Sequence, residues 1–296
     1  MASFYHRLPS TSEGLASQIE RDPRYRVLRP LPHPTEFWVH PMPAEGPYLR
    51  IGVIDVETTG LDAAQDKAIE IAIVTLALNR EGNLVSISLP TTMVEDPGHA
   101  LSPEIEALTG IDDRLLKGKS FDEQLVRTIF DQVDVLVSHQ AAFDRPFLVK
   151  RFPSLTHPWA CSLRDIDWRE FGLEGRALGH LVSSAGFHMP NAHRAGDDAW
   201  ALACLLARIA KDGRTTAAHL IEKAERQTFR LFASGAPFEM RAMLKRAGYR
   251  WNADRRQWWI EGDDERVSSE RVFLASLGSR VCAEVVPIDW YTRYAT

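Results

Sequence analysis

Two acidic residues lie close together at the end of an apolar segment, in Asp55-Val-Glu57-Thr-Thr-Gly60. The four residues before them, Ile51-Gly-Val-Ile54, are typical of a buried strand that ends at the Thr-Thr-Gly break. Residues two apart on a strand point to the same face, so both carboxylates would lie side by side at the edge of a core. Such neighbours repel each other, and a divalent cation such as Mg²⁺ is the simplest group that neutralises them.

Three further residues could complete a metal site of this kind. Asp144 comes shortly after the apolar segment Val135–Ser138, which predicts another buried strand. A helix is predicted to begin at Ala195, so His193 stays on the loop before it. Asp198 then projects from the first helical turn, where the helix dipole favours a carboxylate.

These residues lie in three segments, Asp55-x-Glu57-Thr-Thr-Gly, His139-x-Ala-x-Phe-Asp144 and His193-x-x-x-x-Asp198. The segments resemble the exonuclease motifs of the DnaQ-like family of the DEDDh type. They occur in the family's order, with 89 and 54 residues between successive aspartates. The resemblance covers roughly residues 50–210, and within the family it is to exonucleases of the type found in the epsilon subunit of bacterial DNA polymerase III.

This resemblance implies an α/β fold, an RNase H-like mixed sheet of about five strands flanked by helices. It also implies metal-dependent hydrolysis of phosphodiesters from the 3′ end of DNA, with release of nucleoside 5′-monophosphates in proofreading or repair. His193 would take the proton from the attacking water, a role that suits histidine because its charge changes between about pH 5 and 8. Two Mg²⁺ or Mn²⁺ ions about 4 Å apart would be held by the four carboxylates, Asp55, Glu57, Asp144 and Asp198.

The resemblance also implies residues that contact the terminal nucleotide. The backbone at Thr58 and Gly60 would approach it, and Leu61 would form an apolar wedge under its base. Many relatives carry Asn at the position of Gln140, and the longer side chain could shift the contact to the sugar. The remaining lining residues would be Ile111 and Phe143.

Two residues beside the motif positions are interpreted as having other roles. His139 is interpreted as structural, because the family places its general base in the third motif. Asp197 adjoins Asp198, but the family spacing selects Asp198, and Asp197 should point away from the site on the helix.

The chain of 296 residues is predicted to have three parts. Residues 1–48 form an extension with a helix at Ser12–Arg21 and a proline-rich linker, and residues 49–211 form the exonuclease domain. Residues 212–296 form a small α+β domain that could bind nucleic acid or a partner protein.

Other predicted elements are strands Ala68–Leu78 and Leu84–Leu89, helices Ser102–Leu108, Phe121–Val133, Leu178–Ala185 and Ala195–Ile209, and a helix with Pro146 in its first turn that ends at Arg151.

The C-terminal part is rich in aromatic and basic residues. Tyr249, Trp251, Trp258 and Trp259 could stack on bases, and the arginines between them could contact phosphates. Alternatively, these aromatic side chains form the core that a domain of this size needs. Residues 208–256 contain twelve Lys and Arg but only five Asp and Glu, whereas the whole chain has a net charge of −5.

Composition favours a globular protein and argues against a membrane-spanning one. The apolar content of 45% and the charged content of 25% are ordinary for a globular protein. The sequence has no stretch of about 18 apolar residues, so no membrane span is predicted. The odd number of widely spaced cysteines, three, predicts no disulfide framework and favours the reducing cytoplasm.

Three alternatives remain open from sequence. The same residues could serve an exoribonuclease, since the contact that distinguishes the 2′-OH cannot be identified. The chain could instead bind nucleic-acid ends or a polymerase without catalysis, although pure binding does not require four carboxylates. A DNA polymerase partner is an expectation from family analogy alone.

Overall fold

The computed structural model describes residues 10–32, 49–253, 255–278 and 280–295. The first described segment contains helix α1 (Ser10–Ile19), which begins two residues before the predicted helix, and the short strand β1 (Arg29–Pro30). The predicted proline-rich linker falls mainly on residues 33–48, outside the described residues. Within the described ranges, the structure has no helix that combines the length and the apolar character of a membrane span.

A mixed sheet forms the centre of the molecule. Its strands are β2 (Leu49–Thr58), β3 (Ala68–Leu78), β4 (Leu84–Ile87), β5 (Thr91–Val94), β6 (Val135–Ser138) and β7 (Trp159–Cys161). The order is β4-β3-β2-β6-β7, with β5 also paired to β3, so the described residues contribute six strands where about five were predicted. The sequence pattern does not predict β5 and β7, which have only four and three residues.

The direction of the strands determines where functional residues can meet. β3 is antiparallel to β2, β4 and β5. In contrast, β2, β6 and β7 run parallel to one another. The carboxyl ends of these three strands therefore lie at one edge of the sheet, which is where side chains from different strands can converge.

Helices cover both faces of this sheet, which confirms the predicted α/β architecture. The helices are α2 (Pro103–Thr109), α3 (Asp113–Leu116), α4 (Glu123–Phe130), α5 (Ala141–Arg151), α6 (Leu178–Ser184), α7 (Ala195–Leu206) and α8 (Thr216–Glu225). On β2, Ile51 and Val53 pack with α6, α7 and α8 on one face, whereas Ile54 and Val56 pack with α4 and α5 on the other. The short strand β8 (Phe187–His188) pairs with β1 away from the main sheet.

Helix α5 begins earlier than its sequence predicts. Pro146 is inside the helix and not in its first turn, so that prediction is wrong. The helix starts immediately after Gln140, whose carbonyl accepts the backbone N–H groups of Phe143 (2.7 Å) and Asp144 (3.2 Å). Proline has no backbone N–H, so Pro146 leaves out one internal hydrogen bond of the helix. The hydrogen bonds to the Gln140 carbonyl still start the helix before Pro146.

A second, smaller unit follows α8. Its elements are β9 (Thr228–Ser234), a 3-10 helix (Phe238–Met240), α9 (Arg241–Arg246), β10 (Arg250–Asn252), β11 (Gln257–Gly262), α10 (Asp264–Ser276) and β12 (Cys282–Ile288). Its antiparallel sheet has the order β10-β11-β9-β12 and carries α9 and α10 on one face, which agrees with the predicted small α+β unit.

Helix α8 lies on the C-terminal side of the predicted boundary at residue 211. Its apolar side chains Ala217, Leu220 and Ile221 nevertheless belong to the same packed cluster as those of α7. The division of the chain into domains stays a prediction, but α8 packs with the central sheet and not with the small one.

The aromatic residues of the small unit are placed in different environments. Tyr249 is 2% exposed and packs in the core beneath α9 and α10, while Trp258 is partly buried against the same core. Trp251 is 51% exposed at the edge of the sheet, where its ring meets that of Trp258. Trp259 follows Trp258 on the strand and therefore points to the face away from the helices.

Candidate active site

Strand β2 places two carboxylates at the edge where the parallel strands end. Asp55 and Glu57 both lie within the strand, so the alternation of side chains directs them to the same face. This is the face on which Ile51 and Val53 pack against α7. The pairing with β3 becomes irregular between Glu57 and Thr58, so the regular ladder ends beside these acids.

Helices α5 and α7 bring two more carboxylates to the same edge. Asp144 lies in the first turn of α5 and is 3% exposed. Asp198 lies in the first turn of α7, as predicted, and is 8% exposed. Both helices therefore present an acid from their amino-terminal turn, where the helix dipole stabilises negative charge.

The tightest part of the site contains two acids and one histidine. One ligand atom from each of Glu57, His193 and Asp198 lies within 4.8 Å of the others. Asp55 and Asp144 are not members of this tight group, but their charges act on the same carboxylates. The structure therefore brings the five predicted residues to one region and separates them into a compact trio and two further acids.

Burial raises the pKa of all four predicted ligand carboxyl groups, and nearby negative charge adds to this for Asp55, Glu57 and Asp198. Burial raises the pKa of Glu57 to about 8, with further contributions from Asp198, Glu70 and Asp144. Burial likewise raises the pKa of Asp144 to about 7 and that of Asp198 to about 6. The pKa of Asp55 lies well above its ordinary value because of burial and the nearby charges of Asp144 and Asp198.

These raised pKa values indicate that the surrounding protein supplies too little positive charge to keep all of these carboxyl groups ionised. Arg194 lowers the pKa of Glu57, but it is the smallest of the main influences on that carboxyl group. Oxygen ligands from several carboxylates are the donor set that Mg²⁺ and Mn²⁺ prefer. The residues present therefore fit a divalent cation site.

His193 is held in an unusual backbone conformation next to Asp198. Its φ of 65° lies in the left-handed region, which is uncommon for residues other than glycine. The His193 backbone N–H donates to the Asp198 carboxylate at 3.0 Å, while the side chain is exposed. The strained backbone thus keeps the imidazole at the rim, on a short loop before α7, as the sequence predicts.

Glu70 is an important residue near the site that the motif analysis does not identify as functional. It is fully buried on β3 directly opposite Glu57. Its carboxylate pairs with the Arg194 guanidinium at 2.7 Å and accepts the backbone N–H of Ala195 at 2.9 Å. A glutamate inside the apolar segment of β3 is the sequence signal that could have revealed it, because buried acids need a partner.

We expect Glu70→Ala to lower the free energy of unfolding by about 1–3 kcal/mol, because the buried N–H of Ala195 loses its acceptor. Glu70→Gln keeps an acceptor of similar shape and should cost less. Urea unfolding of both variants in EDTA measures the difference. Equal losses for the two variants would show that the contact with α7 does not matter.

The loop after β2 combines a rigid base with an exposed apolar tip. A Cβ at Gly60 would lie about 2.5 Å from the carboxylate of Asp66, so only glycine fits there without a shift. The same carboxylate accepts the backbone N–H of Asp62 at 2.9 Å. Leu61, between them, is 86% exposed although it is apolar, which is compatible with its predicted contact to a base.

The other predicted nucleotide contacts differ in their accessibility. Gln140 is exposed, and Phe143 is partly exposed with its ring packed against that of Phe147. Ile111 is fully buried in a cluster with Ile69 and Leu101, so its side chain offers no accessible surface. The structure therefore brings Gln140 and Phe143 to the start of α5 but does not expose Ile111.

His139 makes two structural contacts. Its Nδ1 lies 2.8 Å from the Ser162 hydroxyl, and its Nε2 lies 2.8 Å from the carbonyl oxygen of Arg176. Burial lowers the pKa of His139, which favours a neutral ring that donates to that carbonyl. Both ring nitrogens are therefore engaged, in keeping with the interpretation of His139 as a structural residue.

Comparison with known proteins finds similarity over the central part of the chain. The exonuclease family model RNase_T matches residues 53–206. PolC-type DNA polymerase III of Streptococcus suis (strain 98HAH33) is 34% identical over 168 residues, which are 54% of this chain and 11% of the polymerase. The corresponding polymerase of Bacillus subtilis (strain 168) is 31% identical over 168 residues, again 54% of this chain and 11% of the polymerase. The match thus spans only a small part of these curated relatives.

Two solved structures are also similar. Exonuclease X in complex with 5′-overhanging duplex DNA is 26% identical, with 54% of this chain and 89% of that chain covered and a TM-score of 0.39. Exonuclease I of E. coli in complex with a dT13 oligonucleotide is 16% identical, with 82% and 64% covered and a TM-score of 0.46. Both TM-scores lie below 0.5, so the relationship rests on the sequence match.

Proposed function

The chain belongs to the exonuclease family, and we propose that it hydrolyses phosphodiesters at the 3′ end of single-stranded DNA. The products would be nucleoside 5′-monophosphates and a shortened strand. The observation that carries this proposal is the convergence of four carboxylates with His193 at one edge of the sheet. A protein that only binds DNA has no need for so much buried negative charge near a polyanion.

We propose that Asp55, Glu57, Asp144 and Asp198 hold two Mg²⁺ or Mn²⁺ ions. When bound, such ions lower the pKa of a water molecule and stabilise the negative charge that develops on the leaving oxygen. The carboxylates fix where this charge is compensated, and their burial keeps competing water away. Their raised pKa values mean that cation binding would displace protons from the site.

His193 would act as the general base. Water adds its hydroxyl to the terminal phosphorus, the bond from phosphorus to the 3′ oxygen breaks, and the 3′ oxygen gains a proton. The exposed imidazole lies beside Glu57 and Asp198, and this proximity supports a role in accepting the proton that the water loses. Its position on a loop leaves room for a substrate to enter before the imidazole takes up its place.

The loop after β2 and the start of α5 would hold the terminal nucleotide. The backbone at Thr58 and Gly60 can approach it closely, and the exposed Leu61 can support its base. Phe143 and Gln140 would contact the nucleotide from α5. Ile111 would not contact the nucleotide itself and would only support this region through its packing in the core.

The experiment that tests the function uses oligonucleotides labelled at either end. DNA and RNA, single- and double-stranded, are incubated with Mg²⁺, Mn²⁺ or EDTA, and product lengths are followed over time. We expect DNA to shorten from its 3′ end only when metal is present and Asp144→Ala to abolish cleavage. Shortening from the 5′ end, or cleavage in EDTA, would overturn the proposal.

Two further expectations depend on this assay. Faster cleavage of RNA would favour the exoribonuclease alternative, whose mechanism is the same. A DNA polymerase partner remains a proposal suggested by the similarity to PolC-type polymerases, and co-purification with a polymerase subunit would test it. The cytoplasm remains the expected compartment on the basis of the cysteine pattern alone.

The raised pKa of Glu57 predicts how pH affects the metal-free protein. The folded protein holds this proton more tightly than the unfolded chain, so folding loses stability as pH rises from the ordinary value of 4.5 to about 8. A bound cation replaces the proton, so Mg²⁺ should raise the Tm more at about pH 8 than at about pH 6. Thermal unfolding with Mg²⁺ or EDTA at both pH values measures this.

Glu57→Gln provides the control for this prediction. It removes the titrating group, so the metal-free variant should lose less stability between about pH 6 and pH 8 than the unmodified protein does. An effect of Mg²⁺ on Tm that is the same at both pH values would contradict the prediction.

A further inference from the structure

Two exposed arginines lie at the same edge of the central sheet as the candidate active site. Arg164 follows β7 by three residues, and β7 is parallel to β6 and β2, so the carboxyl ends of all three strands share that edge. Two strand spacings, about 10 Å, separate β7 from β2. Arg176 lies beside this position, since its guanidinium donates to the carbonyl of Leu163 at 3.1 Å and its own carbonyl accepts from His139.

The C-terminal residues fix the small sheet to this same region. Asp165, next to Arg164, accepts the hydroxyl of Tyr294 at 2.6 Å and lies 3.7 Å from the guanidinium of Arg293. Arg293 also pairs with Glu261 of β11 at 3.0 Å. Asp165, Arg293 and Tyr294 are buried or nearly so, so this connection is part of the packed structure.

The face of the small sheet that lies away from its helices carries a third exposed arginine. The strand register places Arg250 directly beside Trp259, and Trp259 beside Phe232. The guanidinium of Arg250 lies 5.6 Å from the centre of the Trp259 ring, within the range of a cation–π contact. Trp259 is partly exposed, so this face combines an aromatic ring with a free positive charge.

These three arginines lack the acidic partners that the neighbouring basic residues have. On the same face, Arg230 pairs with Glu261 at 3.5 Å and Arg255 with Glu284 at 3.1 Å. Within the described ranges, Arg164, Arg176 and Arg250 form no ion pair with a carboxylate. Burial and the positive charge of Arg164 lower the pKa of Arg250, and Arg176 adds to this effect. The charge of Arg250 therefore lies close enough to Arg164 and Arg176 to be repelled by both.

We propose that Arg164, Arg176 and Arg250 form a track for the phosphates of the DNA strand whose 3′ end occupies the candidate active site. This proposal rests on the proposed function, because it assigns the path of that same substrate. A chain of phosphates is the ligand that neutralises three neighbouring arginines at once, and Arg binds phosphate well. The small unit thereby holds the strand just upstream of the nucleotide to be removed, with Trp259 beside the path.

The test compares two triple variants that remove the same charge. Arg164→Gln, Arg176→Gln and Arg250→Gln alter the proposed track. Arg241→Gln, Lys245→Gln and Arg246→Gln alter α9, which packs on the opposite face of the small sheet. The KM for a long single-stranded oligonucleotide and its dependence on salt are measured for each, together with the hydrolysis of a dinucleotide that is too short to reach the track.

We expect the track variant to raise the KM of the long substrate at least about tenfold at moderate salt and to reduce the slope of log KM against log salt by about 2. Dinucleotide hydrolysis should be unchanged, which also shows that the variant is folded. The α9 variant should match the unmodified protein in both assays. An unchanged slope in the track variant, or an equal change in both variants, would overturn the track.

The assay separates this inference from the proposed function. If the unmodified protein cleaves neither the long strand nor the dinucleotide, the proposed exonuclease activity fails. If it cleaves both and the track variant behaves like the unmodified protein, only the path of the strand is wrong.

Discussion

Asp198→Asn is expected to lower the rate of 3′-end hydrolysis by about 10²–10³-fold, the loss typical when one electrostatic stabiliser of a transition state is removed. Asp198 supplies an oxygen within the compact group that includes Glu57 and His193. Asparagine has nearly the same shape, so helix α7 should remain intact while the negative charge is lost. Steady-state kinetics with a labelled oligonucleotide measure the loss.

Asp197→Asn is the matched control because it makes the same change one residue earlier in the same helical turn. Asp197 is not a member of the compact group, so its variant should stay within about threefold of the unmodified rate, the effect of an ordinary surface substitution. Similar losses for both variants would mean that general charge near α7 is what matters, and the assignment of Asp198 as a metal ligand would be wrong.

The central strands show what sequence can predict well. The bounds of β3 and β6 agree with the apolar segments Ala68–Leu78 and Val135–Ser138. These strands are buried on both faces, so nearly all their residues are apolar and the pattern is unambiguous. Strand β7 has only three residues, all buried, and nothing local distinguishes them from a loop that crosses a core.

The sequence predicts which acids converge in the candidate site but not the electrostatics around them. The spacing of the motifs selects Asp55, Asp144 and Asp198, but only the fold reveals that Glu70 on β3 lies directly opposite Glu57 on β2. This pairing of two acids requires Arg194, which is 124 residues away from Glu70 in sequence. Contacts over such distances depend on the whole topology, and no local pattern encodes them.

Ile111 shows the limit of transferring a role along a resemblance. The resemblance implies that it lines the nucleotide pocket, while the structure buries it completely.

The tryptophans show a related limit, because alternation assigns Trp258 and Trp259 to opposite faces but cannot tell which face is covered. The helices α9 and α10 cover the face of Trp258, which leaves Trp259 beside the proposed track.

His193→Gly is expected to lower kcat by about 10²–10⁴-fold, the usual contribution of a general base. The same change should leave the free energy of unfolding unchanged or raise it by up to about 1 kcal/mol, because glycine adopts the left-handed conformation without strain. The gain is partly offset by the greater entropy of glycine in the unfolded chain. Kinetics and urea unfolding, each measured on the same preparation, test both parts.

Arg256→Gly separates the expected effect on stability from the expected effect on activity. Among the described residues other than glycine, Arg256 shares a positive φ with His193, at 52°. It lies in the turn between β10 and β11, away from the carboxylates, so its variant should gain similar stability with no loss of dinucleotide hydrolysis. We propose that the chain keeps a histidine in the left-handed conformation at position 193 because its imidazole is needed for catalysis. If His193→Gly kept its kcat, that explanation of the strain would fail, and the base would have to be sought elsewhere.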